Sequence, residues 1–174
     1  MKKIIENRAI AAVCLLLCIL AALTLGTRRS AKAMESDVLE AFRSSPEQYV
    51  TVKSAMQDVS IAAHNLIDAA ESLVGENAVA DFRNLTAEFD KHKADPFGTV
   101  TPGDLGTAAK ALYDKLNGAD TPKNDAKYYY NQLKSTVQQL ARNEAYGDAA
   151  KAYNEKIGKF PISLFSLSPA ILFD

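Results

Sequence analysis

The chain contains two histidines, and each lies one helical turn from a carboxylate. His64 precedes Asp68 by four residues, and His92 follows Glu88 by four, so each pair would share one face of a helix. Such a pair is half of a metal site, but a metal ion needs three or four convergent ligands. We therefore predict two boundary or surface histidines beside acids, and no metal, cofactor or catalytic residue.

The other residue types that do chemistry are not arranged for it. The acids are scattered singly among lysines, no glycine-rich loop follows a strand pattern, and the serines lack a nucleophile-elbow setting. A non-enzymatic interaction protein is the favoured interpretation. Two alternatives stay open: an enzyme or metal-binding bundle that uses the scattered acids with His64 or His92, and a helical sensor or ligand-binding domain.

Three successive tyrosines, at 128–130, are the most conspicuous aromatic group. On a helix they point about 100° apart, so at most two of them can reach one core. Packing is the favoured role for most of the run, and the remaining ring could contact a partner. Tyr128 and Tyr129 are the candidate contacts.

Residues 9–26, AIAAVCLLLCILAALTLG, carry no charge and no proline. As a helix they would rise about 27 Å, close to the hydrocarbon thickness of a bilayer. The alternative is a signal peptide cleaved after Ala33, but the apolar run is longer than the usual signal core. We favour a retained single-pass anchor in the lipid bilayer. Both cysteines, Cys14 and Cys18, lie within it.

Charge divides the chain into two unequal parts. Residues 1–33 carry a net charge of +5 and residues 34–174 carry −6, which together give −1. The basic collar around the span suits anionic lipid head groups, whereas the acidic domain argues against a nucleic-acid partner. Basic residues flank both ends of the span, so the positive-inside rule does not choose a side. We place the domain outside the cytoplasm.

Behind the anchor, apolar residues recur at helical spacing. The clearest stripe alternates steps of three and four and has a seven-residue period, typical of a bundle or coiled-coil seam. It consists of Tyr49, Val52, Met56, Val59, Ala63, Leu66, Ala70 and Leu73. Gly75 then has the position of a helix C-cap. The predicted fold class is all-α: an antiparallel bundle of about four helices, two or three of them long, behind one transmembrane helix.

Several breaks divide this pattern. Ser45-Pro46 either restarts a helix or kinks a long one, and residues 94–104 form a proline- and glycine-rich interruption. Asn117-Gly118 closes a short helix, and Thr121-Pro122 or Asn124 opens the last one, which is predicted to run to about Gly158. Asn143 and Glu144 interrupt its stripe, which predicts a kink or a shift of register.

The end of that helix resembles the C-terminal signature of the LemA family. The matching residues are Tyr146, Ala149, Ala150, Lys151, Tyr153, Asn154, Ile157, Phe160 and Pro161. Ser36 to Phe42 is similar to the family's first helical turn, but the family's glutamine and double-arginine run is missing from residues 56–63. The resemblance implies a bacterial, membrane-tethered helical bundle and supplies no reaction.

The sequence thus predicts five consecutive parts. A basic flank (1–8), the anchor (9–26) and a basic juxtamembrane linker (27–33) precede the bundle (34–161) and an apolar tail (162–174). The tail must be shielded by the bundle, by the bilayer or by a partner, such as a membrane protein or a second copy. Its candidate contacts are Ile162, Leu164, Phe165, Leu167, Ile171, Leu172 and Phe173.

Overall fold

The computed structural model describes residues 2–44, 50–116 and 124–173. Within these ranges every regular element is helical and no strand occurs, so the predicted all-α class is confirmed there. The elements are α1 (Lys2–Arg43), α2 (Val52–Val74), α3 (Glu76–His92), α4 (Pro102–Leu116), α5 (Asn124–Ala141), α6 (Glu144–Ile157) and the 3₁₀ turn η1 (Ile162–Phe165). The predicted helix boundaries at Ser45-Pro46, Asn117-Gly118 and Thr121-Pro122 lie outside the described residues.

Helix α1 is 42 residues long and contains the apolar run. It is the one helix of the described ranges that is long and apolar enough to cross a membrane, and its most apolar stretch is not buried by the rest of the chain. Further along the same helix, Ala31, Val38 and Phe42 are buried. Residues 27–33, which the sequence suggested as a linker, continue the helix without interruption.

Helix α2 lies at the centre and packs against α3, α4 and α5. The predicted stripe is its core face. Val52 through Ala70 of that stripe are buried and Leu73 is half-buried, while Tyr49 lies outside the described residues. Gly75 caps α2, as predicted, and its backbone N–H donates to the carbonyl of Glu71.

The directions of neighbouring helices follow from their contacts. Glu71 near the end of α2 pairs with Arg83 of α3, whereas Ser60, earlier in α2, pairs with Asp90, later in α3. The two helices therefore run antiparallel about the Gly75 turn. Helices α4 and α5 also run antiparallel. Tyr113 stacks on Tyr130 with centroids 4.6 Å apart, and a Cβ at Gly106 would lie 3.8 Å from Val137.

The predicted last helix is in fact two helices, so the estimate of about four helices was too low. The α-helical pattern stops at Ala141, where the N–H of Asn143 bonds to the carbonyl of Leu140, three residues back. The side chain of Asn143 then accepts a bond from the N–H of Tyr146 and caps α6. The break lets α5 pack on α2 while α6 packs on α1.

Helix α6 runs antiparallel to α1. Phe42, at the far end of α1, contacts Tyr146 in the first turn of α6, with ring centroids 6.0 Å apart. Glu35, two turns closer to the apolar run, acts electrostatically on Tyr153 near the end of α6. The chain therefore returns along α1 toward the apolar run, and η1 contacts α1 there.

Candidate functional site

The tail beyond α6 is fastened to the bundle by side chains that bond its backbone. The amide of Asn154 donates from Nδ2 to the carbonyl of Ala170 (2.8 Å), and Oδ1 accepts from the N–H of the same residue (2.7 Å). The hydroxyl of Tyr153 donates to the carbonyl of Ser168 (3.2 Å), and that of Tyr146 donates to the carbonyl of Ile171 (2.8 Å). We call Tyr146, Tyr153 and Asn154 the tail clamp.

The tail also packs against the loop between α3 and α4. The N–H of Ile171 donates to the carbonyl of Pro96 at 2.8 Å, and Phe97 of that loop contacts Tyr153 with centroids 5.4 Å apart. Phe173 stacks on Tyr146 at 4.9 Å. Burial raises the pKa of the Tyr146 hydroxyl above its ordinary value, because the interior disfavours the charged phenolate. Tyr146 is therefore a neutral donor to the tail.

The residues suggested as tail contacts divide into two groups. Ile162 and Ile171 are buried, and Leu172 and Phe173 are half-buried against the core, so these four contribute to the packing of the tail. Leu164 is 69% exposed, Phe165 is also exposed, and Leu167 is half-buried. Phe160, which belongs to the signature but was not singled out as a contact, is 79% exposed.

The exposed part of the tail borders a cleft of about 420 Å³ against α1. One wall consists of Arg28, Ala31, Lys32 and Glu35, whose spacing places them on one face of α1. The other wall consists of Phe165 and Leu167. We call this the membrane-proximal cleft, because Arg28 follows by two residues the apolar run that the sequence predicts to be a membrane anchor.

The three tyrosines of α5 have three different surroundings. Tyr130 stacks on Tyr113, Tyr129 is half-buried, and Tyr128 is 65% exposed and meets Tyr129 edge-on at 5.3 Å. Tyr128 borders an open depression along α5, which also includes Asn131, Gln132, Ser135 and Thr136. Of the two candidate contacts in this run, Tyr128 presents the accessible ring.

A polar cluster between α2 and α3 was not found from the sequence. Asp90 accepts from the Ser60 hydroxyl (2.6 Å) and from Lys93 Nζ (3.0 Å), and its other oxygen lies 2.7 Å from His64 Nε2. His64 thus faces Asp90 across the helix pair. Asp68, four residues along, was the partner that sequence spacing suggested. His92 lies 4.0 Å from Glu88, its neighbour by sequence.

The geometry of this cluster suits a structural lock between two helices. Burial opposes ionisation of Asp90, but hydrogen bonds from Ser60, His64 and Lys93 outweigh it and hold the pKa of that carboxyl below its ordinary value. The serine is only 2% exposed, and its oxygen already accepts a bond from Lys93 at 3.0 Å. This hydroxyl is therefore buried, and it bonds within the cluster both as a donor to Asp90 and as an acceptor from Lys93.

Among the described residues, no group of three or more His, Cys, Asp or Glu side chains is placed to hold a metal ion. No family model, no curated protein and no solved structure matches the chain. The resemblance to the LemA family accordingly stays a prediction from the signature residues.

Proposed function

We propose that this chain is a membrane-anchored, non-enzymatic scaffold or interaction module of the bacterial envelope, of the LemA type. The observation that carries the proposal is the continuity of α1. One helix joins an apolar stretch with no buried residue to a stretch whose Val38 and Phe42 are fully buried in the bundle. Such a helix holds a folded domain directly at a bilayer surface.

The LemA part of the proposal is supported by what the signature residues do. Tyr146, Tyr153 and Asn154 bond the tail backbone, and Ala150 is buried between α6 and its neighbours. A signature that serves to fasten a tail specifies an architecture and not a reaction. This is consistent with a scaffold.

The interaction part is supported by the exposed ring of Tyr128. Tyrosine provides a large contact area with little loss of conformational entropy and keeps a polar hydroxyl, which suits a partner surface. The depression beside it is lined by amide and hydroxyl side chains, which can donate and accept hydrogen bonds. A protein partner, either another membrane protein or a second copy, fits this chemistry.

Photo-crosslinking in intact bacterial membranes tests the proposal. The full chain would carry a benzophenone amino acid at Tyr128, and a matched chain would carry it at Lys134, an exposed position on the same helix. We expect a discrete crosslinked product from position 128 and none from position 134. Release of the chain from membranes by alkaline carbonate would contradict the anchor. Identical crosslinking from both positions would contradict the proposal that Tyr128 lies in a partner surface.

A further inference from the structure

The membrane-proximal cleft lies at the depth of lipid head groups if α1 spans the bilayer. The apolar run ends at Gly26. At about 1.5 Å per residue, Arg28 lies about 3 Å and Lys32 about 9 Å beyond that end along the helix axis. The head-group layer on each side of a bilayer is about 5–7 Å thick. Both side chains are long enough to place their charges within it.

The charges of the cleft are ordered along this axis. The cations of Arg28 and Lys32 are nearest the span, whereas Glu35 lies about 13 Å from Gly26 and so beyond the head-group layer. Within the layer the cleft therefore presents two positive charges and no negative one from its lining residues. A guanidinium and an ammonium on one helix face are the groups that bind a phosphate oxygen most strongly.

The wall opposite these cations is apolar. Phe165 and Leu167 face the cleft, and Leu164 and Phe160 are exposed in the same part of the chain. Large apolar side chains left open to solvent next to a span are costly in water, but they suit the boundary between head groups and acyl chains, where aromatic residues are enriched. A ligand with an anionic end and an apolar end matches both walls.

We propose that the membrane-proximal cleft binds one anionic glycerophospholipid. Arg28 and Lys32 bind its phosphate, and Phe165 and Leu167 contact the glycerol and the first carbons of an acyl chain. The volume of about 420 Å³ lies within the range of small-ligand sites. This site rests on the proposed membrane anchoring of α1, and it gives the clamped tail a role, because the tail supplies the apolar wall.

Lipid binding to the full chain in a neutral detergent tests the site without a charged membrane surface. Native mass spectrometry would count bound phosphatidylglycerol and, in parallel, phosphatidylcholine. We expect one phosphatidylglycerol per chain and weaker retention of phosphatidylcholine. The double variant R28Q/K32Q should weaken phosphatidylglycerol binding about ten-fold or more, the size expected for loss of a hydrogen bond between charged groups.

The matched control is R29Q/R43Q. It removes the same charge from exposed positions of the same helix that do not line the cleft, and it should bind phosphatidylglycerol as the unchanged chain does. A second variant, Phe165→Ser, alters the apolar wall without changing charge and should also weaken binding. Circular dichroism of each variant would verify that the helices are intact.

Three outcomes would overturn the lipid site: equal retention of the two lipids, equal loss in R28Q/K32Q and R29Q/R43Q, or saturation of the cleft by water-soluble glycerol phosphate. The last would indicate a site for a free phosphate ester. Alkaline carbonate extraction distinguishes a wrong lipid site from a wrong assignment of α1 as a membrane anchor. If the unchanged chain stays in the membrane while the variants bind lipid equally, only the lipid site is wrong.

Discussion

The side chain of Asn154 and the backbone of Ala170 exchange two hydrogen bonds, of 2.8 and 2.7 Å, across sixteen positions of the chain. A carboxamide presents an N–H donor and a C=O acceptor on the same side of its plane, as a residue of an antiparallel strand presents its own N–H and C=O to the residue opposite. Asn154 therefore pairs with the tail as a neighbouring strand would, although the tail has no strand beside it among the described residues. The pairing fixes the position of the last apolar residues.

Replacement of Asn154 by alanine should destabilise the tail. It leaves the N–H and carbonyl of Ala170 without these partners in a buried setting, which costs about 1–3 kcal/mol. Hydrogen exchange of the full chain in detergent should show faster exchange over residues 167–173, with α2 unaffected. Asn131→Ala, at an exposed position of α5, is the control. Equal exchange in both variants would show that the clamp does not hold the tail.

Gly75 and Gly147 should respond in opposite ways to alanine. Gly75 has φ 82° and ψ 165°, a conformation nearly restricted to glycine, so Gly75→Ala should cost about 1–3 kcal/mol. Gly147 lies inside α6, and a Cβ added there would meet open space, so Gly147→Ala should stabilise the chain by about 0.5–1 kcal/mol. Chemical denaturation followed by circular dichroism measures both. A loss of stability in Gly147→Ala would contradict the described surroundings of α6.

Gly98 should not tolerate a side chain. A Cβ there would lie 2.7 Å from the Cβ of His92 and 3.3 Å from Cδ1 of Ile171. The first atom is fixed to the backbone of α3, so the loop must shift, at a cost of about 1–3 kcal/mol. Gly106→Ala, whose Cβ would make ordinary contacts with Val137 at 3.8 and 3.9 Å, is the control. Thermal unfolding should separate the two variants, and equal unfolding temperatures would refute the close contact.

Asp90 should make the fold sensitive to acid. Its pKa is lower in the folded chain than the ordinary value of 3.8, so the folded state favours the carboxylate. The stabilisation is complete at pH values above the pKa of Asp90 in the unfolded chain. It is lost as the pH falls through the lower pKa of Asp90 in the folded chain. The difference in unfolding free energy between the unchanged chain and Asp90→Asn should therefore shrink below about pH 4. Asp81→Asn, at an exposed position of α3, is the charge-matched control, and a similar change there would argue against the lock.

Helix α2 could be predicted from the sequence because its burial follows one regular stripe. The buried side of α2 can be identified without knowing which helix it faces, because the period of the stripe alone indicates it. The C-cap at Gly75 could also be predicted, because it depends only on residues that are neighbours in the chain. The helical conformation of residues 27–33 was not predicted, because charged side chains on a helix can reach solvent without interrupting it, so their presence does not distinguish a helix from a loop.

The break before α6 and the polar cluster depend on tertiary partners. Asn143 is compatible with a kink, a register shift or an N-cap, and the choice depends on α5 and α6 packing on different helices. His64 and Asp90 are 26 residues apart, so the acid at position 68 gave the stronger local signal. The clamp was partly visible in the signature, but nothing in a sequence indicates that Tyr146 and Asn154 bond the backbone of a tail.

The continuity of α1 has a mechanical consequence. Each residue of a helix advances the chain by about 100° around the axis. An uninterrupted helix from the apolar run to Arg43 therefore fixes the rotation of the bundle about the helix axis relative to the apolar run. If the apolar run is anchored in a bilayer as proposed, rotation of that run about its axis rotates the bundle by the same angle. Two copies that met through a given stripe of their anchors would always bring the same sides of their bundles together.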